Sequence, residues 1–158
     1  YLRCDQPGSL FCATGSSGGW APGAALGAKL AAPERDVIAV TGDGFYMFGT
    51  PAPALWAAAQ HGAAFMVVVY TNRSYTTGTL GVVRSFGPES HASKTGYEGG
   101  YFDPPIDFAK EAEAAGAYGE NVSDPAEIAG ALQRGLQQVR SGKPAVISVW
   151  LKRLIDGS

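Results

Sequence analysis

The stretch that decides the fold is VIAVTGDG, residues 37–44. Its first five residues are apolar or β-branched, which is typical of a strand buried on both faces of a parallel sheet. Gly42, Asp43 and Gly44 then place a carboxylate between two glycines where the strand ends. Because ligands of open parallel sheets bind beyond the carboxyl ends of the strands, the stretch predicts a binding site as well as a core strand.

Outward from this strand, β-rich runs alternate with alanine-rich helical runs. Strands are predicted at 10–14, 37–41, 65–70, 118–122 and 145–151, and helices at 23–32, 51–61, 106–115 and from the cap residue Asp124 to about 141. This alternation predicts a single α/β domain over residues 1–158, with an open, mostly parallel, doubly wound sheet and helices on both faces. Residues 75–106 lack a clean period, and we expect a long loop that acts as a lid over the site.

A second polar motif, TNRSY at residues 71–75, follows the predicted strand at 65–70. Asp43 and Asn72 are separated by 72 − 43 = 29 residues, which is room for one helix and one strand. Neighbouring parallel strands end at the same edge, so both side chains are expected there together. Carboxylate, amide and carbonyl oxygens suit Mg²⁺, which commonly takes further ligands from a phosphate. Glycines beside Asp43 allow close approach, so the predicted ligand is a Mg²⁺–diphosphate compound.

These motifs resemble those of the C-terminal domain of the thiamine-diphosphate-dependent enzyme family that includes acetolactate synthase and benzoylformate decarboxylase. The family pattern is Gly-Asp-Gly followed, after an interval, by Asn-Asn, and here it stands as GDG at 42–44 and Thr71-Asn72. The similarity spans most of the chain. It also includes GAALGAKLA at 23–31, VIAV at 37–40, ALW at 54–56 and PPIDF at 104–108.

The resemblance implies thiamine diphosphate and Mg²⁺ as cofactors. By position, Asp43 and Asn72 would bind Mg²⁺ through their side chains, and Ser74 through its backbone carbonyl. Gly44 and Phe45 would offer backbone N–H groups to the diphosphate. The implied cofactor-binding set is Gly18, Gly19, Trp20, Gly42, Asp43, Gly44, Phe45, Asn72, Ser74 and Tyr75.

The chain departs from the family pattern in three places. Thr71 replaces the first Asn, and Phe45 stands where Ser is frequent. The family carries a large apolar residue, Leu or Met, at a glycine-rich turn, where it holds the cofactor in a bent form. Here that turn reads Gly18-Gly19-Trp20, so either Trp20 substitutes or the turn is remodelled.

The resemblance also implies a protein partner. In the family, a glutamate on a separate pyrimidine-binding domain activates the cofactor, and that domain is not found in these residues. The glutamates of this chain are expected in loops or on solvent-facing helix positions. We therefore expect a pyrimidine-binding partner chain or segment, in a homo- or hetero-oligomer, and a small 2-oxoacid or carbonyl substrate. Catalytic residues within this chain remain unassigned, with Tyr75, Arg84 and His91 as minor candidates for substrate contact.

Composition excludes several other function classes. The 158 residues are 46% hydrophobic and 16% charged, with a net charge of −2, so neither nucleic acid nor an anionic membrane surface is an expected partner. No apolar run approaches the roughly 18 residues of a membrane span. A cytoplasmic location is the expectation.

Two other functions stay open from the sequence. The turn at 15–19 and the acid at Asp43 loosely fit a Rossmann dinucleotide site, although the glycine spacing is not G-x-G-x-x-G. The departure at Gly18-Gly19-Trp20 favours a cofactor-binding or assembly subunit without catalysis. Bound dinucleotide would indicate the first alternative, and cofactor binding without turnover the second.

Overall fold

The computed structural model describes residues 5–15 and 17–153, and it confirms the predicted α/β class. The elements are α1 (Trp20–Ala31), β1 (Ile38–Gly42), α2 (Asp43–Phe48), α3 (Pro51–Gln60), β2 (Met66–Thr71), α4 (Thr76–Phe86), α5 (His91–Lys94), α6 (Phe108–Ala114), β3 (Tyr118–Val122), α7 (Ile128–Arg140) and β4 (Ala145–Trp150). A short 3-10 turn, Pro125–Glu127, precedes α7, and the Asp124 side chain caps it by accepting from the Ala126 N–H.

The described strands form one parallel sheet in the order β1-β2-β4-β3. Gly42 is in register with Tyr70, and Thr71 with Trp150. The carboxyl ends of β1, β2 and β4 therefore meet at one edge. Both polar motifs follow strands that end there.

Strand β2 lies at the centre of the core and is buried on both faces. Val67 and Val69 pack in the cluster that includes side chains of α1, α2, α3 and α6. Met66 and Val68 pack on the opposite side, in the cluster that includes α7. Burial on both sides explains why this segment is a continuous apolar run without alternation. It also confirms the prediction of helices on both faces.

Helix α7 covers only part of its face of the sheet. Ile38 and Val40 of β1 are 49% and 52% exposed there. With Tyr70 and side chains of α7 such as Leu132 and Leu136, they line an apolar groove of about 440 Å³. The reason is geometric, because α7 connects β3 to β4 and packs at the far edge from β1. No helix in the described part of the chain is long and apolar enough to cross a membrane.

The predicted strand at 10–14 is wrong. Those residues have no strand assignment, and Leu10 and Phe11 are 54% and 69% exposed. An apolar run becomes a strand only beside a partner, and here none pairs with it. The next helix, predicted from 23, begins instead at Trp20, directly after Gly19 turns the chain with φ of 88°.

The prediction of an unstructured loop over 75–106 is also wrong, because it contains α4 and the short α5. Thr and Gly dominate the start of α4, and both are poor helix formers, so the local sequence conceals the helix. Two hydrogen bonds stabilise its first turn. The Tyr75 carbonyl accepts from the Thr79 N–H at 3.0 Å and from Thr79 Oγ1 at 3.3 Å. The remaining residues to 106 are mostly irregular and include a cis Asp103–Pro104 bond.

Candidate functional site

Asp43 lies where β1 ends and α2 begins, and its carboxylate is 2% exposed. Its Oδ1 accepts from the Gly44 N–H at 2.8 Å. Its Oδ2 accepts from the Arg73 N–H at 2.6 Å. The second bond crosses from the end of β1 to the loop after β2, so the structure brings the two motifs into direct contact.

Burial raises the pKa of Asp43, and backbone N–H donors, chiefly Arg73, oppose that rise. Among the described residues, no Lys, Arg or His forms an ion pair with this carboxylate. A buried carboxylate held only by neutral donors keeps lone pairs available for a cation. A bound divalent cation would offset the cost of burying its charge.

Asn72 and Ser74 form a compact turn beside Asp43. Asn72 Oδ1 accepts from the Ser74 N–H and from Ser74 Oγ, each at 3.0 Å. Ser74 Oγ also lies 2.6 Å from Thr76 Oγ1. An amide oxygen has two lone pairs, so both are occupied in this arrangement. A metal at Asn72 Oδ1 therefore requires the Ser74 hydroxyl to turn away, and Thr76 offers it a partner.

Tyr75 lies against Gly44, the second glycine of the first motif. A Cβ placed on Gly44 would be 2.6 Å from the Tyr75 ring, so only glycine fits there. The ring is edge-on to Phe102 at 4.7 Å between centroids and tilted against Phe48 at 5.8 Å. Phe48 and Phe102 are site neighbours that sequence reasoning missed. Only their aromatic character beside the motifs could have suggested them.

The start of α2 carries the backbone N–H groups of Gly44 and Phe45, which the resemblance assigns to the diphosphate. The first turn of a helix leaves its N–H groups without intrahelical partners. The Gly44 N–H is already donated to Asp43 Oδ1. Phe45 lies in the same first turn of α2, which follows the N-cap residue Gly42 in its extended conformation.

The predicted glycine-rich turn packs against α2. A Cβ on Gly18 would lie 3.3 Å from the Phe45 ring, and a Cβ on Gly19 would lie 2.8 Å from the Gly49 backbone. The structure therefore brings this turn beside the helix that follows the Gly-Asp-Gly motif. Trp20 opens α1 and is 43% exposed. Its exposed ring is available on the surface near this turn.

The minor candidates for substrate contact differ, since the Tyr75 ring lies against Gly44 and the other two make no described hydrogen bond to the motifs. Arg84 in α4 and His91 at the start of α5 are both exposed, and no described hydrogen bond joins them to Asp43 or Asn72. One expectation about the glutamates is corrected. Glu111 is partly buried on α6, where burial raises its pKa and its charge contributes to raising the pKa of buried Tyr46.

The donor set at this edge suits one class of ligand. The described residues contain no group of three or more His, Cys, Asp or Glu side chains that could hold a metal ion. One carboxylate, one amide and a backbone carbonyl leave an octahedral Mg²⁺ short of ligands unless a phosphate supplies them. The buried, cation-free Asp43 and the donors of α2 thus fit a Mg²⁺–diphosphate group.

Comparison with known protein families matches residues 1–149 to the thiamine pyrophosphate enzyme C-terminal TPP binding domain, where TPP is thiamine diphosphate. Acetolactate synthase isozyme 3 large subunit of Escherichia coli is 33% identical over 135 residues, which is 85% of this chain. Benzoylformate decarboxylase of Pseudomonas aeruginosa is 31% identical over 144 residues, which is 91% of this chain.

A solved structure gives the same relationship. The thiamine diphosphate-dependent 4-hydroxybenzoylformate decarboxylase of Rhodococcus jostii RHA1 superposes with a TM-score of 0.64 and 28% identity, over 89% of this chain and 24% of that one. The matched regions are 21% of the Escherichia coli protein and 25% of the Pseudomonas protein. The chain therefore spans about a fifth to a quarter of the length of these relatives.

Proposed function

We propose that this chain, which belongs to the thiamine pyrophosphate enzyme family as its C-terminal TPP-binding domain, holds the Mg²⁺–diphosphate end of the cofactor in an enzyme acting on 2-oxoacids. The cofactor of this family is thiamine diphosphate, used with Mg²⁺ bound by its diphosphate. The observation that carries the proposal is the bond from the Arg73 N–H to Asp43 Oδ2. It joins the two motifs at one edge.

Each site residue has a distinct part in this proposal. Asp43 and Asn72 bind Mg²⁺ through side-chain oxygens, and Ser74 through its carbonyl. The backbone at the start of α2, from Gly42 through Phe45, approaches the diphosphate, and Tyr75 lies beside it. Support comes from the burial of Asp43 and from the Tyr75 ring, which lies against Gly44 beside that carboxylate. When bound, thiamine diphosphate supplies the thiazolium carbon that attacks a carbonyl group.

The reaction we infer is decarboxylation of a 2-oxoacid or joining of two carbonyl compounds, as a lyase or a transferase. The names of the relatives support both reactions, since one is an acetolactate synthase and another a benzoylformate decarboxylase. The resemblance assigns the activating glutamate to a pyrimidine-binding domain on a partner chain or another segment. The relatives are four to five times longer than the matched region, which leaves room for such a domain in them.

The test is to purify the protein natively, in whatever assembly it forms, and to measure thiamine diphosphate content, CO₂ release and condensation products with pyruvate and benzoylformate. We expect bound cofactor and turnover in the wild type. Asp43→Ala removes the buried Mg²⁺ ligand and should lose both. Glu34→Gln, which changes an exposed carboxylate paired with Arg35, should lose neither.

The same experiment separates the alternatives. The non-catalytic subunit is favoured by one observation, namely that no Leu or Met stands at the Gly18-Gly19-Trp20 turn. Cofactor retained by the wild-type assembly with no turnover of any 2-oxoacid would support it. The Rossmann alternative requires a strand before that turn, and residues 10–14 form none. Bound dinucleotide in place of thiamine diphosphate would overturn the proposed function altogether.

A further inference from the structure

Arg73 has a backbone conformation that its residue type rarely adopts. Its φ is 61°, in the left-handed region, although it carries a side chain. Such a conformation persists in proteins when surrounding contacts hold it. Arg73 also stands between Asn72 and Ser74, the two proposed Mg²⁺ ligands of the second motif. The contacts that hold Arg73 therefore determine how those ligands are presented.

The backbone of Arg73 is fixed from two sides. Its N–H donates to Asp43 Oδ2 at 2.6 Å, and its carbonyl accepts from the Phe102 N–H at 2.9 Å. Ser74 continues this contact through an antiparallel bridge to Tyr101. The metal-binding turn is thus attached to the end of β1 on one side and to the segment around 101–102 on the other.

The Arg73 side chain lies against the end of β4. Its guanidinium carbon lies 5.8 Å from the centroid of the Trp150 ring. Its charge contributes, after that of Arg153, to lowering the pKa of Asp103. Nε of Arg73 is buried, and it has no hydrogen-bond partner among the described residues. The side chain therefore contacts the end of β4 without a hydrogen bond from Nε to fix it.

We propose that Arg73 is a positioning residue for the Mg²⁺–diphosphate site. Its guanidinium, placed against Trp150 and beside Asp103, holds the left-handed turn so that the Asn72 amide oxygen and the Ser74 carbonyl stay aimed at the metal. It also adds positive charge near a site where a diphosphate and Asp43 together carry more negative charge than one Mg²⁺ neutralises. This inference rests on the proposed function and adds to it a residue that touches neither cofactor nor metal.

The variant Arg73→Gly separates the effect of the guanidinium from that of the left-handed backbone. Glycine adopts a φ near 61° without strain, so Arg73→Gly keeps the turn accessible while removing the guanidinium. The ligand-free Arg73→Gly protein should unfold at the same temperature as the wild type or higher. A residue needed only for folding would instead lower the unfolding temperature when removed.

The measurement is the Kd of thiamine diphosphate at saturating Mg²⁺, by calorimetric titration of the full chain, with thermal unfolding of the same samples. Arg73→Gly should weaken binding by about tenfold, the size typical of residues that orient metal ligands. Arg73→Lys keeps the charge above Trp150 and should bind more nearly like the wild type than like Arg73→Gly. Arg35→Gln removes an exposed arginine whose described ion pair is with Glu34, and it should bind as the wild type does.

Two results would overturn the inference. One is an Arg73→Gly protein that binds within twofold of the wild type. The other is weaker binding accompanied by a lower unfolding temperature, which indicates a folding role alone. Failure of the proposed function is distinguishable, because the wild type itself would then show no Mg²⁺-dependent binding of thiamine diphosphate.

Discussion

A single buried carboxylate dominates the chemistry of this site at the residue scale. Asp43 is held by backbone donors from its own helix and from the neighbouring loop, and it has no cationic side chain as an ion-pair partner among the described residues. Proteins rarely bury an uncompensated charge without a functional reason. The arrangement is therefore prepared for a cation that the protein chain itself does not supply.

The raised pKa of Asp43 predicts a pH dependence of stability in the metal-free protein. Because burial raises the pKa of folded Asp43 above the ordinary value of 3.8, the folded state binds this proton more tightly than the unfolded state. The stabilising contribution is complete below pH 3.8 and is lost as pH rises through the folded pKa. Urea titrations measure the free energy of unfolding of the wild type and of Asp43→Asn. The difference, wild type minus variant, should decrease as pH rises from 3.8 through the folded pKa of Asp43.

Added Mg²⁺ with diphosphate provides the control for that prediction. It should restore the free energy of unfolding of the wild type above the folded pKa, where the carboxylate is ionised. It should leave the free energy of unfolding of Asp43→Asn unchanged. A difference between the two proteins that stays constant from pH 3.8 to neutrality would show that burial does not perturb Asp43.

Also at the residue scale, some features of the site could be predicted from the sequence and others could not. Asp43 and Asn72 were identifiable because each directly follows an apolar strand, and the interval between them fits one helix and one strand. The two hydrogen bonds that Asn72 Oδ1 accepts from Ser74 could not be predicted, because one of them depends on how the Ser74 hydroxyl is rotated. The φ of Arg73 was equally hidden, since the contacts that surround it, among them those with Asp43 and Phe102, come from residues distant in sequence.

At the scale of elements, the four described strands of the sheet were found within a residue of their predicted ends. An apolar run signals a buried strand, as β2 and β4 show, but β1 lies at the edge of the sheet with Ile38 and Val40 half exposed. Residues 10–14 carried a similar local signal but found no neighbouring strand. Helix α4 carried a contrary signal, since its Thr and Gly residues disfavour a helix that its surroundings stabilise.

The contact between β3 and α6 gives a prediction at the same scale. A Cβ added to Gly119 would lie 2.6 Å from the carbonyl carbon of Ala109, which is backbone and cannot move aside cheaply. Gly119→Ala should therefore destabilise the protein by about 1–3 kcal/mol, the usual range for an overpacked position. Urea unfolding monitored by circular dichroism measures this.

The matched control is Gly27→Ala in α1. Nothing lies within 4 Å of a Cβ at Gly27, so the substitution only reduces backbone freedom in a helix. It should stabilise the protein by about 0.5–1 kcal/mol. Equal effects of the two substitutions, in sign and size, would refute the close packing of β3 against α6.

At the scale of the whole molecule, the topology explains why one edge concentrates the chemistry. The connection from β1 to β2 places α2 and α3 on one face of the sheet, and the connection from β3 to β4 places α7 on the other. Loops that follow β1 and β2 then emerge together at the carboxyl edge, the usual location of ligands in such sheets. Phe102 and Trp150, from later in the chain, place their side chains against the second motif at the same edge.

Calorimetric titration of thiamine diphosphate into the chain at saturating Mg²⁺ tests the central claim most directly. The wild type should bind saturably and only with Mg²⁺. Asn72→Ala should not bind thiamine diphosphate saturably, because the amide ligand of Mg²⁺ is lost. Ser74→Ala should bind within about threefold of the wild type, since its carbonyl remains and the hydroxyl that occupies Asn72 Oδ1 is gone. Folded wild type without Mg²⁺-dependent binding, or Asn72→Ala binding like the wild type, would contradict the account.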